Sequence, residues 1–116
     1  MDRSERLRRL ALNQLTADLS APDGPGDWLE PSLDAKTLAL VRLSALVAMG
    51  GGVVPSYAAL ADEALSSGAS AEEVVDILLG ILPVVGPVRI VTAAPQLALA
   101  LGYDADDPSD SWPPRS

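Results

Sequence analysis

Apolar positions recur at helical spacing almost from the first residue of this chain. Leu7, Ala11, Leu15 and Leu19 stand four residues apart, with Leu12 on the adjacent line, so about Ser4 to Leu19 is expected to form an amphipathic helix. Turn formers then gather in Ser20-Ala21-Pro22-Asp23-Gly24-Pro25-Gly26-Asp27, and Pro31 steers Glu30 away from helical backbone. Residues 1–26 therefore read as a helix and linker set apart from the rest of the chain. Asp34 is a good N-cap for Ala35 to Met49, a run of strong helix formers stopped by Gly50-Gly51-Gly52. Pro55 suits the first turn of the next helix, which Tyr57, Leu60, Ala61 and Leu65 carry until Gly68 closes it. Ser70, with Glu73 three residues on, makes a capping box for a helix over about Ala71 to Leu82, and Glu72 adds negative charge at its positive end. Pro83 and Gly86-Pro87 break the chain again. A last helix is expected over Val88 to Leu101, kinked or split at Pro95 and ended by Gly102.

No stretch alternates with a period of two, so the fold class is all-α, with its core in the four helices of residues 27–103. Val74, Val75, Ile77, Leu78, Leu79, Ile81 and Leu82 cannot all face the interior of one small chain. A helix apolar nearly all round is buried on all sides, which here implies contacts between subunits and a homo-oligomer. Ile81 to Leu101 is apolar enough to mimic a membrane span, but Arg89, Gln96 and three prolines read against one. Asp104 to Ser116, rich in Asp and Pro, buries little and reads as an acidic tail that is disordered or ordered on contact. Trp28 and Trp112 lie outside the core helices and are candidate anchors for linker and tail.

Composition narrows the chemistry. A chain of 116 residues, 48% hydrophobic, makes one domain that buries roughly two thirds of its unfolded surface. It has no Cys and no His. Disulfides, thiolate nucleophiles, imidazole bases and nearly every zinc or haem site are thereby excluded, and no metal or cofactor is expected. The net charge of −8 argues against a nucleic-acid partner, whose affinity comes largely from neutralised phosphates. Arg3, Arg6, Arg8 and Arg9 crowd the start while Asp104, Asp106, Asp107 and Asp110 crowd the end, so the termini can attract each other. Asp2 and Glu5 dilute the basic start and no long apolar run comes after it, so a cytoplasmic protein is expected.

Four residues are candidates for ligand binding. Arg42 sits among Leu38, Val41, Ala45, Leu46 and Met49, sharing a helix face with apolar neighbours, where it can clamp a carboxylate or simply pair with an Asp or Glu. Arg89 opens the last helix, where its charge opposes the helix dipole and needs compensation from a ligand or a partner. Ser56 and Tyr57 offer neighbouring hydroxyls, with a helix-start residue and a core tyrosine as the plain alternatives. Asp62 and Glu63 project about 100° apart on a helix, which suits a solvated face better than an acid/base pair. Gly50-Gly51-Gly52 can cradle an anion but lacks the Gly-Lys-Ser/Thr ending of a phosphate loop, and reads as a flexible connection.

Leu33-Asp34-Ala35-Lys36-Thr37, then Ala64, Gly68, Glu72-Glu73 and Gly86-Pro87, resemble in order and spacing the landmarks of the carboxymuconolactone decarboxylase and alkylhydroperoxidase D superfamily, over about residues 33 to 102. The resemblance implies a helical bundle assembled as trimers or hexamers. Members that act as alkylhydroperoxidases carry Cys-x-x-Cys-x-x-x-His and an upstream Glu. Here the two cysteine places hold Val53 and Ser56, the His place holds Leu60, and the Glu place falls near Ala39 if the loop at Gly50 to Gly52 contains an insertion. Thiol peroxidase chemistry is excluded, since serine is no redox centre. The lactone decarboxylases also use a His at the Leu60 place, which is vacant here.

The resemblance leaves two expectations. One is a thiol-free ligand-binding oligomer with a small-molecule pocket near Arg42, Ser56, Tyr57 and Arg89, catalysing at most a non-redox decarboxylation, isomerisation or cyclisation. The other is a non-catalytic assembly protein that shows its basic first helix and acidic tail to partners. An acyl carrier role fits the small acidic helical profile, but Pro31-Ser32-Leu33 lacks the Asp-Ser-Leu attachment context.

Overall fold

The computed structural model describes residues 2–24, 26 and 29–103. Among these there are six helices and no strand: α1 (Arg3–Ala11), α2 (Leu15–Leu19), α3 (Ala35–Met49), α4 (Val54–Ser66), α5 (Ala71–Val85) and α6 (Pro87–Ala100). The acidic tail, Trp28 and Trp112 lie outside the described residues. The chain divides into two compact units, Met1–Leu33 and Asp34–Ser116.

In the first unit the single helix expected over Ser4 to Leu19 is two helices. Asn13 adopts the left-handed conformation at φ 60°, its amide donates to the Leu10 carbonyl, and the Gln14 amide donates to the Arg9 carbonyl. These are the paired bonds of a Schellman stop, with Asn taking the position glycine usually fills. The four-residue leucine spacing carried no sign of that break. Asp2 caps α1 by accepting from the Glu5 amide at 2.8 Å. Glu5 in turn accepts from Arg8 and Arg9, and those hydrogen bonds, Arg8 first, hold its carboxyl down at about 2. The Arg6 guanidinium donates to the Glu30 carbonyl. Neither α1 nor α2 buries a residue, and Leu7 is 68% exposed.

In the second unit the capped helix ends are those the sequence specifies, while α5 runs past its expected end near Leu82 to Val85. Asp34 caps α3, accepting from the Thr37 amide at 2.7 Å, and that bond lowers its carboxyl pKa. Ser70 and Glu73 form the reciprocal capping box of α5, with both hydrogen bonds at 3.1 Å. Schellman bonds close α4 at Gly68 and α6 at Gly102.

The prolines behave differently from expectation. Pro83 lies inside α5, which runs on to Val85, and Pro95 lies inside a continuous α6. Each removes one backbone hydrogen bond, leaving the Leu79 and Val91 carbonyls without their usual donors. Pro83 and Pro95 are exposed, as are Leu79 and Val91, and the helix continues past each proline.

The core gathers Leu43 and Val47 of α3, Tyr57 and Ala61 of α4, Val74 and Leu78 of α5, and Ala93 and Leu97 of α6. A smaller cluster of Ala39, Ala64 and Ala69 lets α3 and α4 approach closely beside it. Among the described residues no polar or charged residue is buried, and Tyr57 is the buried residue that carries a polar side-chain atom. No helix among the described residues is long and apolar enough to cross a membrane.

Candidate functional site

The loop from Gly50 to Val53 joins α3 to α4. Gly50 caps α3 in the left-handed conformation at φ 78°, and the Arg89 guanidinium lies directly against it, filling the space a β-carbon would need. Arg89 occupies the first turn of α6, where the helix dipole disfavours a cation. Its long side chain brings the charge instead to the C-terminal end of α3, where the dipole favours it. It makes no ion pair or hydrogen bond among the described residues. Of the other cationic side chains in this unit, Arg42 pairs with Glu63 at 3.2 Å and Lys36 with Glu73 at 2.7 Å.

Two residues further along, Gly52 makes room for Tyr57. A β-carbon on Gly52 would stand 2.7 Å from Tyr57 Cε2 and 2.8 Å from Cζ, with Leu46 Cγ at 3.1 Å. Tyr57 is only 1% exposed, and its ring belongs to the main core. Its hydroxyl has no hydrogen-bond partner among the described residues, yet no fully buried side-chain oxygen or nitrogen among them lacks one. The sliver of exposure therefore falls at the hydroxyl, so a buried ring presents one polar atom beside the loop. Burial pushes the phenol pKa up, so this oxygen keeps its proton at neutral pH and can donate.

The N-terminus of α4 completes the surroundings. Val53 occupies its N-cap and has no side-chain oxygen to offer. The amides of Ser56 and Tyr57 both turn back onto the Val53 carbonyl, whereas those of Gly51, Gly52, Val53 and Val54 have no acceptor among the described residues. Met49 and Val53, both exposed, flank the glycines.

Of the four residues singled out from sequence, Tyr57 and Arg89 thus meet the same three-glycine loop, and Ser56 lies exposed on the adjoining helical turn. Arg42 does not join them, being committed to Glu63 across α3 and α4. At the places where the resembling family carries chemistry, Val53 and Ser56 are exposed, Leu60 packs against the core, and Ala39 is buried in the alanine cluster. Sequence reasoning assigned the glycines to a flexible connection. The signal it passed over was that Gly50 and Gly52 have distinct steric duties, one toward Arg89 and one toward Tyr57, which only the packing of α6 and α4 reveals.

A separate groove of about 430 Å³ runs between α3 and α5, lined by Leu40, Ser44, Glu73, Asp76, Ile77, Gly80 and Ile81. Ser44 spends its hydroxyl proton on the Leu40 carbonyl at 2.8 Å, and Glu73 is held by Lys36 and the capping box. Lys36 is the chief cause of the lowered Glu73 pKa. No group of three or more acidic side chains among the described residues could hold a metal ion. No protein-family model, curated protein or solved structure matches this chain.

Proposed function

We propose that this chain is a thiol-free, homo-oligomeric relative of the carboxymuconolactone decarboxylase and alkylhydroperoxidase D frame, and that it binds a small organic molecule at the Gly50–Gly52 loop. The observation that carries the reading is that an unengaged guanidinium and an unengaged phenol are set against the same loop. Arg89 and Tyr57 come from different helices, converge on one loop, and satisfy nothing else among the described residues. Polar groups left so are usually completed by solvent or ligand. With no thiol, imidazole or fully buried carboxylate at hand, the chemistry open to the site is positioning and charge stabilisation. Those suffice for binding, or for a decarboxylation, isomerisation or cyclisation of a substrate that carries its own reactivity.

A native mass spectrum of the purified protein tests this directly. An organic molecule retained by the wild type and lost from Arg89→Ala is the expected result, and retention by that variant overturns the role given to Arg89.

A non-catalytic assembly protein is the second reading, and a different observation favours it. α1 and α2 bury nothing, and large apolar side chains stand exposed on the outer sides of α5 and α6. A clean oligomer, carrying no small molecule in the same spectrum, favours assembly over ligand binding.

A further inference from the structure

Resting on the proposed ligand binding, the geometry points to a specific class of ligand at the Gly50–Gly52 loop: a small organic monocarboxylate with an apolar body, its carboxylate held by Arg89, the Tyr57 hydroxyl and the amides that open α4. The side chains that reach the site, and the backbone amides left open there, are donors. The guanidinium can only donate, the Gly51 to Val54 amides can only donate, and the protonated phenol has a hydrogen with no acceptor. Unpartnered donors gathered at the start of a 13-residue helix complement negative oxygen, because the first-turn amides and the helix dipole both favour it. The phenol makes this more than an uncapped helix. Its ring is buried in the core and its hydroxyl end lies against Gly52, on the loop that leads into that helix.

Charge sets the valence. One guanidinium stands at the loop, in a chain of net charge −8, so a single negative charge is matched where a dianion would be left partly uncompensated. Size and polarity set the body. Met49 and Val53 bracket the glycines and leave most of their side chains in solvent, 76% and 57% exposed, which gives an apolar tail something to cover. Two of the three glycines are enforced by neighbours already present. Gly51 has nothing within reach of an added β-carbon, so the loop is open on the side where a carboxylate would approach the backbone.

The test is a titration of the ¹⁵N-labelled full chain with hexanoate, with neutral hexanamide, and with inorganic phosphate, followed by amide shifts. Saturable shifts at Gly51 to Val54 with hexanoate, at least tenfold weaker with hexanamide or phosphate, are expected. Arg89→Ala should weaken hexanoate at least tenfold and Tyr57→Phe severalfold, with amide shifts remote from the loop unchanged in both variants. Equal binding of hexanamide at the loop would overturn the carboxylate and leave a ligand site standing. Preference for phosphate would replace the carboxylate with a different anion. No shift at the loop with any of the three, alongside a wild-type protein that carries no organic molecule, would overturn the ligand site itself.

Discussion

At the scale of single residues, Tyr57 does the work of two. Its ring is among the largest fully buried groups in the core, and its oxygen is the polar atom that reaches the loop. The raised pKa has a consequence for stability. In the unfolded chain the phenol loses its proton near pH ~10, whereas the folded chain holds it to a higher pH. Below that point both states are protonated and the contribution is complete; as pH rises through it, the unfolded state ionises first and stability falls. Thermal midpoints measured from about pH 9 to about pH 11.5 should therefore drop more steeply in the wild type than in Tyr57→Phe, and parallel curves would refute the assignment.

The contrast between Arg42 and Arg89 shows what one sequence can and cannot reveal. Both are candidate ligand clamps from sequence, Arg42 as a cation among apolar neighbours and Arg89 as a cation at a helix start that opposes the dipole. The Glu63 that engages Arg42 is 21 residues away on another helix, and only the packing of α3 on α4 brings it near. Arg89 reaches no carboxylate among the described residues, and its position against Gly50 depends equally on tertiary packing.

At the scale of elements, helix ends set by local chemistry were legible and those set by surroundings were not. Asp34, the Ser70 and Glu73 box, Gly68 and Gly102 act within a turn of themselves, and each does what its residue type dictates. Asn13 breaks the first helix because it tolerates a left-handed backbone, a capacity that leucine periodicity does not report. Pro83 and Pro95 read as breakers because their cost is real, but both fall among exposed residues and the helices continue past them.

Gly80 poses the reverse case. It lies within α5, exposed, with open space where a β-carbon would go, so the helix bears glycine's flexibility without an internal steric reason. Gly80→Ala should stabilise the chain by up to about 1 kcal/mol in urea unfolding. Destabilisation would mean that something packs onto α5 at that point.

At the scale of the whole chain, the four-helix core is built almost entirely from small and branched aliphatic side chains, and it leaves many large ones outside. Val75, Leu79 and Val84 on α5, with Val88, Val91 and Leu99 on α6, are all exposed, Val84 at 86% and Val91 at 70%. Apolar exposure repeated along two successive helices is the physical basis of the homo-oligomer in the proposed function. Val91→Asp should reduce the native mass to that of one chain while far-UV circular dichroism keeps its helical signal. An assembly unaffected by that change would place the subunit contact elsewhere.

The two prolines then constrain what such a contact can be. Beside the apolar side chains, the Leu79 and Val91 carbonyls are acceptors whose usual helical donors the prolines have removed. A neighbouring subunit that met this surface with hydrocarbon alone would strand both oxygens away from water, at about 1–3 kcal/mol each. Whatever covers α5 and α6 must therefore bring its own N–H or O–H to two fixed points, or leave a water there. The prolines would then act as registration marks, admitting the one docking position that answers both and rejecting the many that are merely greasy.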